Sequence, residues 1–335
     1  MGKRDYYFDN AKFILILLVV FGHSISPLKD GNGVLFSLYK FIYLFHMPAF
    51  ILIAGYFTKG FDKPGYVKKV FKKTLIPYFI FQVIYNFYYF FTGYDEHFTF
   101  SLLDPHWSLW FLISLFSWHL MIIPFSKMGK YGFPAALVLG IAVGYFSDFG
   151  SYLSIERTFI FFPLFYLGYL LKGEHFAAIR QKASKFAAIP LLITIFAGCY
   201  FIFPDAWKDW LLGSSSYAAM GVDSWEGGLY RLIYYAVIFV TTFAVLTLIP
   251  EKQMAFTNLG GKTLYIYLLH GFFVKTIDLF PSYENIQHFA GYLVLFAACI
   301  ALCFFLASRP VRTFSKPLIE LKLPKLKQNS HSVPR

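Results

Sequence analysis

Apolar residues fill the chain in long blocks separated by short polar interruptions, and the blocks, more than any residue type, set the expectation for the fold. Ten stretches are close to the ~20 residues needed to span a bilayer as a helix. They cover roughly 8–27, 34–57, 75–92, 107–125, 132–147, 158–171, 186–203, 229–249, 263–280 and 289–308. Lipid offers no partner to an open strand edge, so segments of this kind must be helices. The pattern predicts an all-α, polytopic integral membrane protein with about ten transmembrane helices. Residues 1–308 form the membrane-embedded unit, and 309–335 a basic, disordered cytoplasmic tail along the anionic inner leaflet.

The interruptions alternate in charge. Residues 1–12, 58–73, 126–131, 172–185, 250–262 and 309–335 together hold 24 of the 30 Lys and Arg. The opposite connections carry acids, among them Asp95, Asp104, Asp148, Asp205, Asp223 and Glu284. The positive-inside rule then puts both termini in the cytoplasm of a multi-pass protein of the cell membrane. No small-residue cleavage site follows the first apolar block, so it is expected to stay as a helix. The longest outer connection, 204–228, is expected to form a small lid carrying Trp207 and Trp210.

Composition sharpens this reading. Of the 335 residues 58% are hydrophobic and only 14% charged, against about a quarter charged in soluble domains. Forty-three Phe and 25 Tyr exceed what one water-soluble core hides. The net charge of +12 therefore signals topology and lipid contact rather than nucleic acid. The three cysteines lie in apolar runs without metal-ligand spacing, so neither a disulfide nor a metal site is expected.

Against this background the polar residues inside the apolar blocks stand out. Lys12 and His23 are eleven positions apart, an angular offset of about 20° and a rise of about 16 Å, so they share one stripe of the first helix. Alone, Lys12 reads as a snorkelling lysine and His23 as an imidazole satisfied by a neighbouring helix. His46, His119 and His270 are expected at a similar depth, with Arg157, Lys40, Arg231 and Lys275 also within or near spans. Several ionisable groups at one level point to a shared chamber. Lys68, Lys69, Lys72 and Lys73 cluster before the third helix. That cluster reads as topology signalling and headgroup contact, or as a site for a phosphorylated cytosolic ligand. No phosphate-binding glycine loop and no GxSxG motif occurs.

Five segments in order, "KFILILLVVFGH", "FHMPAFILIAGYF", "WSLWFLISL", "FFPLFYLGYLL" and "LGGKTLYIYLLH", resemble the membrane-bound acyltransferase family 3, in particular its short members related to fucose 4-O-acetylase and the intercellular-adhesin acyl transferases. The resemblance spans about residues 6–308. It implies an O-acyltransferase moving an acetyl or similar short acyl group from acyl-CoA to a hydroxyl of an envelope carbohydrate. His23 would be the catalytic general base. Lys12, Lys69, Lys72 and Lys73 would bind the acyl-CoA, with lysines where the family often has Arg-x-x-Arg. His46, Arg157, Tyr267 and His270 are candidates for the chamber wall and acceptor binding. The competing expectation from residues alone is a transporter or flippase for a polysaccharide or lipid-linked sugar.

Overall fold

A computed structural model describes residues 5–147, 149–222, 224–280, 283 and 286–321. Asp148, Asp223, Glu284 and the chain beyond 321 lie outside the described residues. Among the described residues there are helices and turns and no strands. In chain order the helices are α1 (Tyr6–Ile25), α2 (Gly33–Tyr56), α3 (Tyr66–Phe91), α4 (Trp110–Phe125), α5 (Gly132–Ala142), α6 (Ile155–Leu170), α7 (Gly173–Ile179), α8 (Lys182–Phe201), α9 (Lys208–Leu212), α10 (Glu226–Leu248), α11 (Thr263–Asp278), α12 (Phe289–Leu306) and α13 (Arg309–Glu320). Each of the ten expected apolar segments falls on one of them. Six helical stretches are long and apolar enough to cross a membrane: α1, α2, the run through α4 and α5, most of α8, α10 and α12.

Local chemistry sets where the central helices begin. Asp5 caps α1, accepting the Tyr7 N–H at 3.0 Å. Asn32 caps α2 by accepting from the Leu35 N–H at 3.0 Å. Such caps satisfy donors that a helix start leaves bare.

Helices α1 and α2 are the most enclosed, while α8 and α12 turn most of their surface outward. An all-round apolar helix with an exposed face suits a lipid-facing rim. Glycine brings α2 and α6 together at backbone distance. A Cβ on Gly55 would sit 2.0 Å from the Phe165 carbonyl oxygen, and one on Gly168 2.0 Å from that of Leu52. Small residues that let backbones meet are a usual basis of helix packing in membranes.

The tail departs from its expectation. Residues 309–320 form α13, with Ser315 and Ile319 buried and the Glu320 carboxylate accepting from the Tyr265 hydroxyl at 2.5 Å. Pro310 lies in the first turn, where no N–H is needed, so it does not forbid the helix.

Candidate active site

Three cavities follow one another through the middle of the fold. The first, a vestibule of about 620 Å³, is walled by Lys59, Lys63, Lys69, Lys73, Tyr66 and His119 together with apolar residues of α4. The second is a neck of about 90 Å³ lined by Ile16, Phe50, Phe111 and Leu264, among others. The third is a chamber of about 220 Å³ containing His23, Tyr43, His46 and Arg157. Phe111 and Leu264 belong to both vestibule and neck. Val19, Met47 and Tyr267 belong to both neck and chamber.

One stripe of α1 runs beside the whole series. Ile16 and Val19 line the neck and His23 the chamber, at the i, i+3, i+7 spacing of one helix face. Lys12, one turn before Ile16, continues that face toward the vestibule. It is not itself on the vestibule wall. Its ammonium pairs with Asp9 at 2.9 Å and lies 5.8 Å from the ring of Phe57, which is on that wall.

In the chamber, the Tyr43 hydroxyl of α2 lies 3.1 Å from His23 Nδ1. Tyr39, one turn earlier, packs its ring against that of Tyr43, tilted by 31° with centroids 4.0 Å apart, and also lines the chamber. Trp107 closes another side, its ring 4.3 Å from the His23 ring. This tryptophan has φ +43°, a left-handed backbone that is rare outside glycine and appears where surroundings enforce it. Those surroundings are in α3. Gln82 donates to the carbonyls of Ser101 and Asp104 at 2.9 and 2.8 Å, and its own oxygen accepts the His106 N–H at 3.0 Å. His106 Nε2 and Asn86 Oδ1 are 2.7 Å apart. Burial lowers the pKa of His106 against the pull of Asp95 and Asp104, which favours the neutral ring as donor to Asn86. On the residue after Trp107, the Ser108 carbonyl accepts from the Tyr267 hydroxyl.

The remaining expected residues divide. His46 lines the chamber, and its Nδ1–H donates to the Ile42 carbonyl at 2.7 Å. Tyr267 and Arg157 line it too. His270 does not. Its Nδ1–H is drawn to the Tyr267 and Ile266 carbonyls at 2.7 and 3.1 Å, which folds the ring onto its own helix, fully buried. It stands behind the wall, 5.6 Å from the His23 ring, with Trp107 against both. His119 lines the vestibule and not the chamber, with Nδ1 2.5 Å from the Tyr66 hydroxyl. Lys69 and Lys73, at i and i+4, line the vestibule, whereas exposed Lys72 points off that face. Lys59 and Lys63 join them.

The 204–228 segment, expected as a lid, lies against the chamber. Leu211 and Leu212 of α9 are part of the chamber wall. The last carbonyls of this short helix are each taken by a side chain. Arg231 donates to Trp210 O at 3.2 Å, Tyr234 to Leu211 O at 3.4 Å and Arg157 Nε to Leu212 O at 3.2 Å. Lys40 holds the lid's start, donating to the Phe203 carbonyl at 2.7 Å and pairing with Asp205 at 2.8 Å. Trp207 is partly exposed and Trp210 is buried over the Arg231 guanidinium.

The profile of acyltransferase family 3, described as an acyltransferase domain, matches residues 5–308. The chain is similar to nodulation protein NolL of Sinorhizobium fredii, 24% identical over 305 residues, covering 83% of this chain and 80% of that one. It is also similar to nodulation protein NolL of Mesorhizobium japonicum, 47% identical over 62 residues that cover 18% of this chain and 17% of the other. No solved structure matches the chain.

Proposed function

The chain belongs to acyltransferase family 3 and is an acyltransferase, and from that premise we propose that it moves an acetyl or similar short acyl group from acyl-CoA to a hydroxyl of an envelope carbohydrate. The observation that carries this reading is the vestibule, neck and chamber in series. A lysine-rich mouth suits the phosphates of coenzyme A, since ammonium groups bind phosphate as point charges. A narrow apolar neck suits its thin pantetheine arm. The thioester then reaches the chamber beside His23.

In this mechanism His23 is the general base. With its Nδ1–H donated to the Tyr43 hydroxyl, Nε2 keeps a lone pair. That nitrogen takes the proton of the acceptor hydroxyl as the oxygen attacks the thioester carbon. The carbon–sulfur bond breaks, and the imidazolium returns the proton to the departing thiolate. Tyr43 thus orients the base as the third member of a triad does.

For topology, we assign ten spans with both termini cytoplasmic, in a multi-pass protein of the cell membrane. The concentration of Lys and Arg on one set of loops supports this, and it puts the vestibule on the side where acyl-CoA is found. The lid then faces outward, toward the glycan. Mass spectrometry of envelope glycans from cells with and without the gene tests the reading. An added acyl mass that disappears with the gene supports it, and identical glycans contradict it.

A further inference from the structure

The chamber holds a positive charge that has no direct ion-pair partner among the described residues. Arg157 lines it, and a guanidinium stays charged at neutral pH. Only its Nε has a protein hydrogen bond, to the Leu212 carbonyl. The two Nη nitrogens have no hydrogen-bonding partner among the described residues, and the half-buried side chain lines the cavity. Among the described residues no Asp or Glu lines the chamber. Glu156 is adjacent in the chain, yet no ion pair joins it to Arg157 among the described residues. Trp110 backs the guanidinium, with its ring 5.2 Å away, and fixes the plane in which a pair of N–H groups points.

A charge deep in a fold is costly unless it is paired. Neutral sugar hydroxyls would leave this one unpaired, whereas a carboxylate meets it with two parallel hydrogen bonds. The position says which substrate brings the carboxylate. Arg157 is tied to the lid through Leu212 and is not among the residues that line the neck, the route taken by the donor. We propose that the acceptor is an acidic glycan, whose carboxylate sits on Arg157 while a nearby hydroxyl faces His23. This rests on the acyl-transfer reading for the word acceptor; the anion site itself does not.

The test uses the full chain in lipid nanodiscs, with tryptophan fluorescence reporting binding at Trp107 and Trp110. D-glucuronate and D-glucose are the probes, since they differ by one carboxylate. Glucuronate should bind at least about tenfold more tightly than glucose. The preference should vanish in Arg157→Gln and survive in part in Arg157→Lys. Equal binding of the two probes, or a preference that persists in Arg157→Gln, overturns the proposal. A second arm follows thiol release from acetyl-CoA and succinyl-CoA. With the preference absent, selective slowing of succinyl-CoA by Arg157→Gln assigns the cation to the donor. Equal slowing of both assigns it to the developing oxyanion, and either result overturns an acidic acceptor. A wild type that binds glucuronate selectively but releases no thiol from either donor contradicts acyl transfer and leaves the anion site standing.

Discussion

Tyr43 of α2 sets its hydroxyl 3.1 Å from Nδ1 of His23 on α1, joining the two most enclosed helices at the candidate base. The pair gives the imidazole a fixed ring orientation, which a base needs as much as a lone pair. Tyr43→Phe keeps the ring packing and removes only the hydroxyl. It should lower kcat by roughly ten- to a hundredfold with little change in KM for acyl-CoA. Steady-state thiol release checks this, and a KM effect alone would place Tyr43 in donor binding instead.

The vestibule separates lysines that are alike in sequence. Lys69→Ala with Lys73→Ala should raise KM for acyl-CoA by roughly tenfold, more at low salt, because both face the cavity. Lys72→Ala, on the neighbouring face, should stay within about twofold of the wild type. KM measured across a salt series distinguishes the two sets.

The neck is narrow enough that one larger side chain should close it. Val19 is buried and belongs to both neck and chamber. Val19→Phe should cut acyl-CoA turnover by more than about tenfold, allowing for an overpacking cost of about 1–3 kcal/mol. A folded, monodisperse variant with wild-type turnover would rule out this route for the donor.

The close approach of α2 and α6 predicts a stability contrast between two glycines. Gly168→Ala puts a Cβ against the Leu52 carbonyl and should destabilise by about 1–3 kcal/mol. Gly198→Ala on the rim helix α8 meets nothing within 4 Å and should be neutral or stabilising by up to about 1 kcal/mol. Thermal unfolding in detergent reads both.

Much of this was legible in the chain. Apolar block length gave the helices, because lipid and core alike demand continuous runs. The 3.6-residue period alone put Lys12 and His23 on the stripe that Ile16 and Val19 complete. Depth along a helix, however, does not say which way a ring turns, and so His270 and His119 were expected in a chamber that neither lines. Tyr43 is one of 25 tyrosines, with no spacing that marks it. Gln82 and Asn86 matter only through a loop about twenty residues on, a relation that no periodicity encodes. The helix at 309–320 was not marked by its composition, because a basic stretch reads as a solvated tail, whereas the burial of Ser315 and Ile319 that holds it in place comes from tertiary contact.

His23 as the base of acyl transfer is tested most directly by release of free thiol from acetyl-CoA by the purified chain, compared with His23→Ala at equal abundance and equal thermal stability. Base catalysis by His23 requires steady release by the wild type and a fall of at least about a hundredfold in the variant. Undiminished release by His23→Ala would contradict it.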